Sequence, residues 1–165
     1  MVREWQREPK IVGHRIVAKD LVWGGYNKVY TAGSSKGGTC AIYYGLQLNV
    51  TEVFSSACQY HVGNYLNKEH HRKILEGMMG KNYCKEDVER LNNELPTMIK
   101  NNAHSTTFVH LYYSEGDHTY QDHIIDLIKD LQSADIHISR TVDDYVNHDD
   151  NGLFFQKYLK ERFIQ

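Results

Sequence analysis

A serine bracketed by glycines is the residue of this chain best placed to do covalent chemistry. The segment GSSKGG at residues 33–38 matches the pattern G-x-S-x-G and directly follows a short run of β-branched and aromatic residues. In that pattern the central serine sits on a sharp turn between a strand and a helix. Gly33 and Gly37 are expected because such a turn strains the backbone and brings a neighbouring segment too close for a Cβ atom. We therefore predict Ser35 as a nucleophile.

A serine hydroxyl is a weak nucleophile near neutral pH, so it needs a base and a carboxylate that orients the base. In the chain order typical of this turn, the acid follows a later strand and the histidine comes after the acid. Asp117 lies in SEGDHTY after the strand-like run FVHLYY, and His148 lies between the run IHISRTV and the last helical segment. The carboxyl ends of parallel strands lie along one edge of a sheet, so Ser35, Asp117 and His148 are predicted to meet there.

Each partner of the serine also has a competing interpretation. Asp117 fits the N-cap of a helix or a turn, and His148 fits a solvated loop histidine. His118 is a second candidate base, but its loop is the wrong one for the usual order, which favours a place in the substrate pocket. Four further acids could replace Asp117 or orient His148, namely Glu115, Asp122, Asp149 and Asp150.

The helix after the serine is expected to stabilise negative charge. The backbone amide of Lys36 would lie at its N-terminus and could donate to a developing oxyanion with help from the helix dipole. The Lys36 side chain itself is expected in solvent. Substrate contacts are predicted for Ser34, Gln59, Tyr60 and His118, with structural roles equally open for Gln59 and Tyr60. A phosphate-cradling loop is the competing interpretation of the glycines, but G-x-x-x-x-G-K-[ST] is absent.

Composition narrows the class of protein. A chain of 165 residues fits one globular domain, and 19 basic against 21 acidic residues give a net charge of −2. No global basic field exists to hold nucleic acid. The chain has no apolar run of about 18 residues and begins with a charged segment, so we expect no membrane span and a soluble, cytoplasmic protein. Three separated cysteines form no C-x-x-C pair, and we predict neither a metal nor a cofactor.

Strand-like and helix-like stretches alternate from residue 10 onward, which is typical of a parallel α/β sheet. The strands are predicted at Asn27–Ala32, Glu52–Ala57, Thr106–Tyr113 and Asp135–Val142. The hydrophobic spacing predicts helices over Ile11–Trp23, Tyr120–Ser133 and Leu153–Ile164 and a small-residue helix after the serine. A helical insertion is expected at about residues 60–103, with pieces near Lys68–Met79 and Lys85–Lys100.

At GSSKGG the sequence resembles the α/β-hydrolase superfamily. The stretch YTAGSSKGGTCAIYYGLQLNVTEVFSSACQYHVGNYL is similar to the XcbB/CpsF family of bacterial capsular-polysaccharide biosynthesis proteins, and the likeness extends from about Lys28 through SEGDHTY and NHDDNG to the end. The resemblance implies a three-layer α/β-hydrolase-like sandwich formed as one domain by residues 1–165. It also implies Ser35 as nucleophile, His148 as base, Asp117 as its orienting acid and the Lys36 amide as an oxyanion donor.

One departure from the superfamily pattern concerns the N-terminal strands. A complete hydrolase takes its second oxyanion donor from a loop after an early strand. Only about 26 residues precede the first predicted strand here, and their pattern is helical, so we expect the N-terminal strands to be missing. The chain then corresponds to the C-terminal part of a longer domain, or to a minimal domain that a second copy or a partner subunit completes at the open edge of the first strand.

Two functions follow from the sequence. The first is a serine hydrolase or acyltransferase acting on an acyl ester, with an acetylated capsular or surface glycan as the substrate that the resemblance implies. The alternative is a non-catalytic scaffold or interaction module in capsule polysaccharide biosynthesis, which keeps the fold without turnover.

Overall fold

A computed structural model describes residues 27–163 of the chain. These residues form one parallel sheet with the strand order β1-β2-β3-β4. The strands are β1 Tyr30–Ser34, β2 Glu52–Ser56, β3 Phe108–Ser114 and β4 Ile138–Asp143. Along the sheet, Tyr30 lies opposite Glu52, Glu52 opposite Phe108, and Val109 opposite Ile138. Parallel neighbours need long crossover connections, and every crossover here contains a helix. The predicted α/β fold class is confirmed.

Seven α-helices flank or follow the strands within the described residues. They are α1 Lys36–Gln47, α2 Val62–Leu66, α3 Arg72–Met79, α4 Lys85–Asn92, α5 Glu94–Asn101, α6 Ile125–Ser133 and α7 Asn151–Phe163. Short 3₁₀ turns occupy Glu69–His71 and His148–Asp150, and one π-helical turn, Tyr120–Ile124, leads into α6. The predicted helix over Ile11–Trp23 lies outside the described residues. Over residues 27–163, no helix combines the length and apolarity that a membrane crossing requires.

The sheet is covered on both faces, which makes three layers. Successive strand residues point to opposite faces, so Val53 and Phe54 belong to different cores. Val53 joins a large cluster with α1, α5 and α6, in which Leu46 and Leu127 are fully buried. Phe54 joins a smaller cluster under α7 that includes Phe155. Each such side chain contributes roughly 1.5–3 kcal/mol by leaving water, and this packing holds the carboxyl ends of the strands in place.

The insertion between β2 and β3 has a small core of its own. It consists of Leu66 from α2, Leu75 from α3 and Val88 from α4, which pack together. The helix predicted near Lys85–Lys100 is in fact two helices, α4 and α5, which meet at Asn93. Pro96 explains the break because it lacks an N–H and its ring would clash with the carbonyl four residues earlier in a continuous helix. In α5 it lies in the first turn, where no intrahelical bond is lost.

Candidate active site

The backbone is strained at the serine turn, which we define as residues 33–38. Ser35 lies between β1 and α1 with φ 53° and ψ −124°, a conformation that residues with a Cβ rarely adopt. Such a conformation costs on the order of 1–3 kcal/mol and persists only where its surroundings hold it. The amide of Ser35 donates to the carbonyl of Ser56 at 2.8 Å, and the carbonyl of Ser35 accepts from the amides of Gly38 and Thr39. The turn is thereby fixed to the end of β2.

Two glycines permit this turn, Gly33 and Gly38, and only Gly33 is one of the two that the pattern predicted. A Cβ on Gly33 would lie 2.2 Å from the carbonyl oxygen of Gly37, so glycine is required at that position. The expectation that Gly37 is needed for the same reason is wrong, because a Cβ there would meet nothing within 4 Å. The second crowded position is Gly38, where a Cβ would lie 2.8 Å from Ser55 Oγ and 2.9 Å from Cys58 Cβ. Gly38, and not Gly37, is therefore on the side of α1 that rests against β2.

Ser35, His148 and Asp117 lie in one chain of hydrogen bonds. Ser35 Oγ is 3.0 Å from His148 Nε2, and His148 Nδ1 is 2.8 Å from Asp117 Oδ2. Asp117 follows β3, which ends at Ser114, and His148 begins the 3₁₀ turn between β4 and α7. The serine and the histidine are 113 positions apart in the chain. The parallel sheet brings them together because β1, β3 and β4 all end at the same edge.

The carboxylate of Asp117 is buried, and both of its oxygens have hydrogen-bond partners. Asp117 is only 1% exposed, and its Oδ1 accepts the Thr119 amide at 2.9 Å and faces His118 Nδ1 at 3.1 Å. Burial by itself would raise the pKa of Asp117, but the hydrogen bonds from His148 and Thr119 outweigh it and lower that pKa below its ordinary value. The carboxylate is therefore held ionised. One oxygen of Asp117 accepts a backbone amide in its own turn and the other faces His148. The turn-forming interpretation of Asp117 and its pairing with the histidine are therefore compatible.

His148 lies between Asp117 and Ser35, with one ring nitrogen facing each. The hydrogen bond from Asp117 raises the pKa of His148 above its ordinary value, against the opposing effect of partial burial. When Nδ1 carries the proton donated to Asp117, Nε2 is left with a lone pair facing Ser35 Oγ. The side chain is 19% exposed, which leaves a path for a substrate to reach it. This geometry can support general base chemistry at the serine hydroxyl.

Gln59 makes a second contact with the serine hydroxyl. Its Nε2 donates to Ser35 Oγ at 2.9 Å, a contact more specific than the pocket-lining or structural role that its position after β2 had suggested. The Gln59 amide donates to Thr39 Oγ1 at 3.1 Å, and the Thr39 hydroxyl donates to the Gln59 carbonyl at 2.9 Å. This pair of bonds holds the Gln59 backbone to α1, the same helix that begins after Ser35.

The other predicted site residues lie at different distances from the serine. Lys36 is the first residue of α1, where backbone amides have no intrahelical acceptor, and its side chain is exposed as expected. Ser34 is the half-buried last residue of β1. His118 has a half-exposed side chain, and its ring centroid is 5.2 Å from that of His148. These placements are compatible with oxyanion and substrate contacts, which stay predictions.

Tyr60 departs from the expected pocket position. It is 1% exposed, belongs to the large core cluster, and donates its hydroxyl to Asp130. Burial, followed by the bond to Asp130, raises the pKa of the phenol well above its ordinary value. The Tyr60 side chain is a core element because its ring packs within the large cluster and its hydroxyl is bonded to Asp130 on α6.

Sequence reasoning missed the polar support beneath the serine turn. Asn151, the first residue of α7, is 2% exposed, and its Oδ1 accepts from the Ser56 hydroxyl and from the Tyr145 hydroxyl, the latter at 3.2 Å. The carbonyl of Ser56 in turn holds the Ser35 amide. The histidine turn and the serine turn are thus joined through β2. Nothing in the sequence distinguishes Asn151 from other asparagines, because its role follows from burial.

The same cluster could also hold a metal ion. Asp117, His118 and His148 each present one ligand atom, and these atoms lie within 4.8 Å of one another. Two imidazoles and a carboxylate suit zinc. In the present geometry, however, the Asp117 oxygens already face both imidazole rings at hydrogen-bonding distance. A metal would have to displace those contacts, and the hydrogen-bonded arrangement is complete without it.

The chain matches no family model and no curated protein sequence. Among solved structures it is similar to the capsule O-acetyltransferase of Neisseria meningitidis serogroup A, with a TM-score of 0.77 and 23% identity over 90% of this chain and 62% of that one. It is also similar to the Glycosylation Associate Protein (Gap123) complex from Streptococcus agalactiae, with a TM-score of 0.79 and 17% identity over 95% of this chain and 32% of that one.

A third similar structure is FphF, a fluorophosphonate-binding serine hydrolase of Staphylococcus aureus. Its TM-score is 0.64 at 14% identity, over 92% of this chain and 61% of that one. The chain thus spans 62%, 32% and 61% of the three solved chains. The parallel sheet, the serine turn after β1 and these three likenesses lead to one conclusion, which is that the chain has an α/β-hydrolase-like fold.

Proposed function

We propose that this chain is a serine esterase or acyltransferase in which Ser35 is the nucleophile, His148 the general base and Asp117 the group that orients the base. The observation that carries this proposal is the continuous set of hydrogen bonds from Asp117 through His148 to Ser35 Oγ, ending on a strained turn. A solvated loop histidine or an ordinary helix cap would not require this alignment of three separate loops.

The acylation step follows from that alignment. Ser35 Oγ forms a bond to the ester carbonyl carbon while its proton passes to His148 Nε2, and the carbonyl π electrons move onto the oxygen. The Lys36 amide donates to this oxyanion at the N-terminus of α1. When the carbonyl re-forms, the bond to the leaving oxygen breaks, and that oxygen takes the proton from His148. The product is an acyl group on Ser35.

The second step decides between hydrolysis and transfer. A water molecule or a sugar hydroxyl gives its proton to His148 Nε2 and attacks the acyl carbon, and Ser35 Oγ regains a proton as it leaves. Asp117 stabilises the imidazolium in both steps because it is ionised and buried beside it. We propose both outcomes for the site, with the acceptor that binds determining which one dominates.

The proposed acyl group is acetyl, and the proposed acceptor or substrate is a capsular or surface glycan. The likeness to a capsule O-acetyltransferase supports this choice, and a variant of that enzyme has been solved in complex with CoA. An acetyl thioester of CoA is therefore a candidate donor to test beside simple acetyl esters. We also propose a cytoplasmic location, which the free and exposed thiols of Cys40 and Cys84 support.

A fluorophosphonate probe tests the nucleophile directly. The intact protein should form one covalent adduct, which peptide mass spectrometry should place on Ser35. The Ser35→Ala variant should show no adduct, whereas the matched Ser133→Ala variant, which removes a hydroxyl from the exposed end of α6, should still be labelled. An adduct on another residue, or none on a folded protein, would count against the proposed function.

A second candidate function is a non-catalytic module within a glycan-assembly complex. The likeness to the Gap123 complex favours it, because that solved structure is a complex, and this chain matches 32% of the chain to which it is similar. Within residues 27–163, β1 pairs with β2 on one side and is an edge strand on the other, so a partner subunit or a second copy could pair there. Size-exclusion chromatography combined with an ester assay separates the two functions. A stable complex without Ser35-dependent turnover supports the module, and Ser35-dependent turnover supports the enzyme.

A further inference from the structure

The proposed acyl transfer places a negative charge on one oxygen, and the surroundings of that oxygen determine the rate. Preorganised donors aimed at a developing oxyanion are commonly the largest single contribution to catalysis of this kind. The Lys36 amide supplies one donor from the start of α1. The described residues contain another donor, outside the hydrogen-bonded set of Ser35, His148 and Asp117, that contacts Ser35 Oγ.

That group is the side-chain amide of Gln59. Its Nε2 lies 2.9 Å from Ser35 Oγ, and the residue is only 2% exposed. The two hydrogen bonds between Thr39 and the Gln59 backbone attach that backbone to α1, the helix that begins with Lys36. A donor fixed to the helix that carries the first donor needs little reorganisation during the reaction.

The rest of the Gln59 carboxamide supports a role in the site. Its Oε1 is buried and has no hydrogen-bond partner among residues 27–163. A buried carbonyl oxygen that loses its water and gains no partner destabilises the folded state. The Gln59 side chain is thus poorly satisfied as a purely structural element, while its N–H₂ group is directed at the reacting hydroxyl.

We infer that Gln59 Nε2 is a side-chain oxyanion donor that acts with the Lys36 amide; this inference rests on the function proposed above. Before reaction, Nε2 donates to Ser35 Oγ. When Ser35 Oγ bonds to the carbonyl carbon and its proton passes to His148, the π electron pair moves onto the carbonyl oxygen, one bond beyond Oγ. The Gln59 N–H then shifts from Oγ to that oxyanion.

This shift makes the contact stronger in the transition state than in the ground state. Hydrogen bonds to a charged oxygen are roughly twice as strong as those between neutral groups. Only an interaction that strengthens in this way accelerates the chemical step. Gln59 should therefore affect kcat far more than it affects substrate binding.

The test is the Gln59→Met variant of the full chain, which keeps the side-chain length and removes the donor. We expect kcat for ester hydrolysis to fall by roughly 100- to 1,000-fold, with KM changed by less than about threefold. Affinity for a trifluoromethyl ketone, which forms a tetrahedral adduct with serine, should fall by a factor similar to that of kcat. The Gln59→Glu variant should lose kcat at least as strongly, because it places a negative charge beside the oxyanion.

The matched control is Gln47→Met. Gln47 also has a buried carboxamide oxygen without a hydrogen-bond partner in the described part of the chain, but it lies at the opposite end of α1 from Ser35. Its variant should retain the wild-type kcat. The thermal midpoints of both variants, measured alongside, separate a loss of folded protein from a loss of catalysis.

Three outcomes overturn the inference, and they are distinguishable. If turnover depends on Ser35 but Gln59→Met retains kcat and ketone affinity to within about threefold, Gln59 is not an oxyanion donor and the proposed function stands. If Ser35→Ala retains wild-type turnover, the proposed function fails and this inference fails with it. A fall in the thermal midpoint with unchanged kcat assigns Gln59 a structural role and equally overturns the inference.

Discussion

Replacing Asp117 with asparagine tests the proposed base most directly. The carboxylate uses both oxygens, since Oδ1 accepts the Thr119 amide and Oδ2 accepts from His148 Nδ1. Asparagine has the same shape but one acceptor oxygen, which the Thr119 amide will retain. The Nδ2 group then faces His148 Nδ1, which must become an acceptor. The ring proton moves to Nε2, and Nε2 can no longer accept the proton of Ser35.

The expected loss is large because the variant holds the wrong tautomer. In a serine protease the equivalent change lowers kcat by roughly 10⁴-fold, and we expect a similar loss here. That factor corresponds to about 5.5 kcal/mol of transition-state stabilisation, at 1.36 kcal/mol for each factor of ten. The fold should persist, because the hydrogen bond from Thr119 is retained and the side-chain volume is unchanged.

The assay is ester hydrolysis measured against pH for the wild type, Asp117→Asn and Asp150→Asn. Asp150 is an exposed acid two residues after His148, and both ring nitrogens of His148 face other groups, so Asp150→Asn should keep the wild-type kcat. The reasoning is refuted if Asp117→Asn retains more than about a tenth of kcat. It is equally refuted if Asp150→Asn is as damaging as Asp117→Asn.

Further predictions concern pH, the serine turn, the core and the rival histidine. Because Asp117 raises the pKa of His148, kcat/KM of the wild type should fall as the pH drops through a value above the ordinary imidazole pKa of about 6.5. Gly33→Ala should lower the thermal midpoint and abolish labelling by the fluorophosphonate probe, whereas Gly37→Ala should do neither. Leu127→Ala, at a fully buried position, should lower the free energy of unfolding in urea by about 2–5 kcal/mol. His118→Gln should leave kcat within about tenfold of wild type; a loss as large as that of a general base, roughly 10²–10⁴-fold, would make His118 the base instead.

The segments that form strands and their parallel pairing could be predicted from the sequence, but the residues at which the strands begin and end could not. Runs such as FVHLYY are too apolar and too rich in β-branched and aromatic residues for a surface loop, and the helical segments between them require parallel pairing. The strand predicted at Asn27–Ala32 instead spans Tyr30–Ser34, because it runs alongside β2 until Ser34 lies opposite Ser56. Hydrogen-bonding partners set a strand's limits, and local composition does not reveal them.

The features of the site that follow from topology could likewise be predicted from the sequence, whereas those that follow from packing could not. Ser35, Asp117 and His148 could be placed together because topology alone brings strand ends to one edge. Which glycine of the serine turn is crowded depends on how α1 rests on β2, a distance of a few ångströms that no pattern encodes. The inward turn of Tyr60 and the contact of Gln59 with Ser35 depend on the same packing. Residue type and spacing therefore predict which residues converge at the edge of the sheet. Which side-chain atoms contact one another depends on how the helices pack on the sheet.

The distance along the chain between Ser35 and His148 has a consequence for when the serine is reactive. The hydroxyl and its turn follow β1, whereas the imidazole follows β4, so the two groups meet only in a chain in which β4 is paired within the sheet. A chain with β4 detached would display an ordinary, unreactive serine. Reactivity toward a probe would therefore report whether β4 is in place.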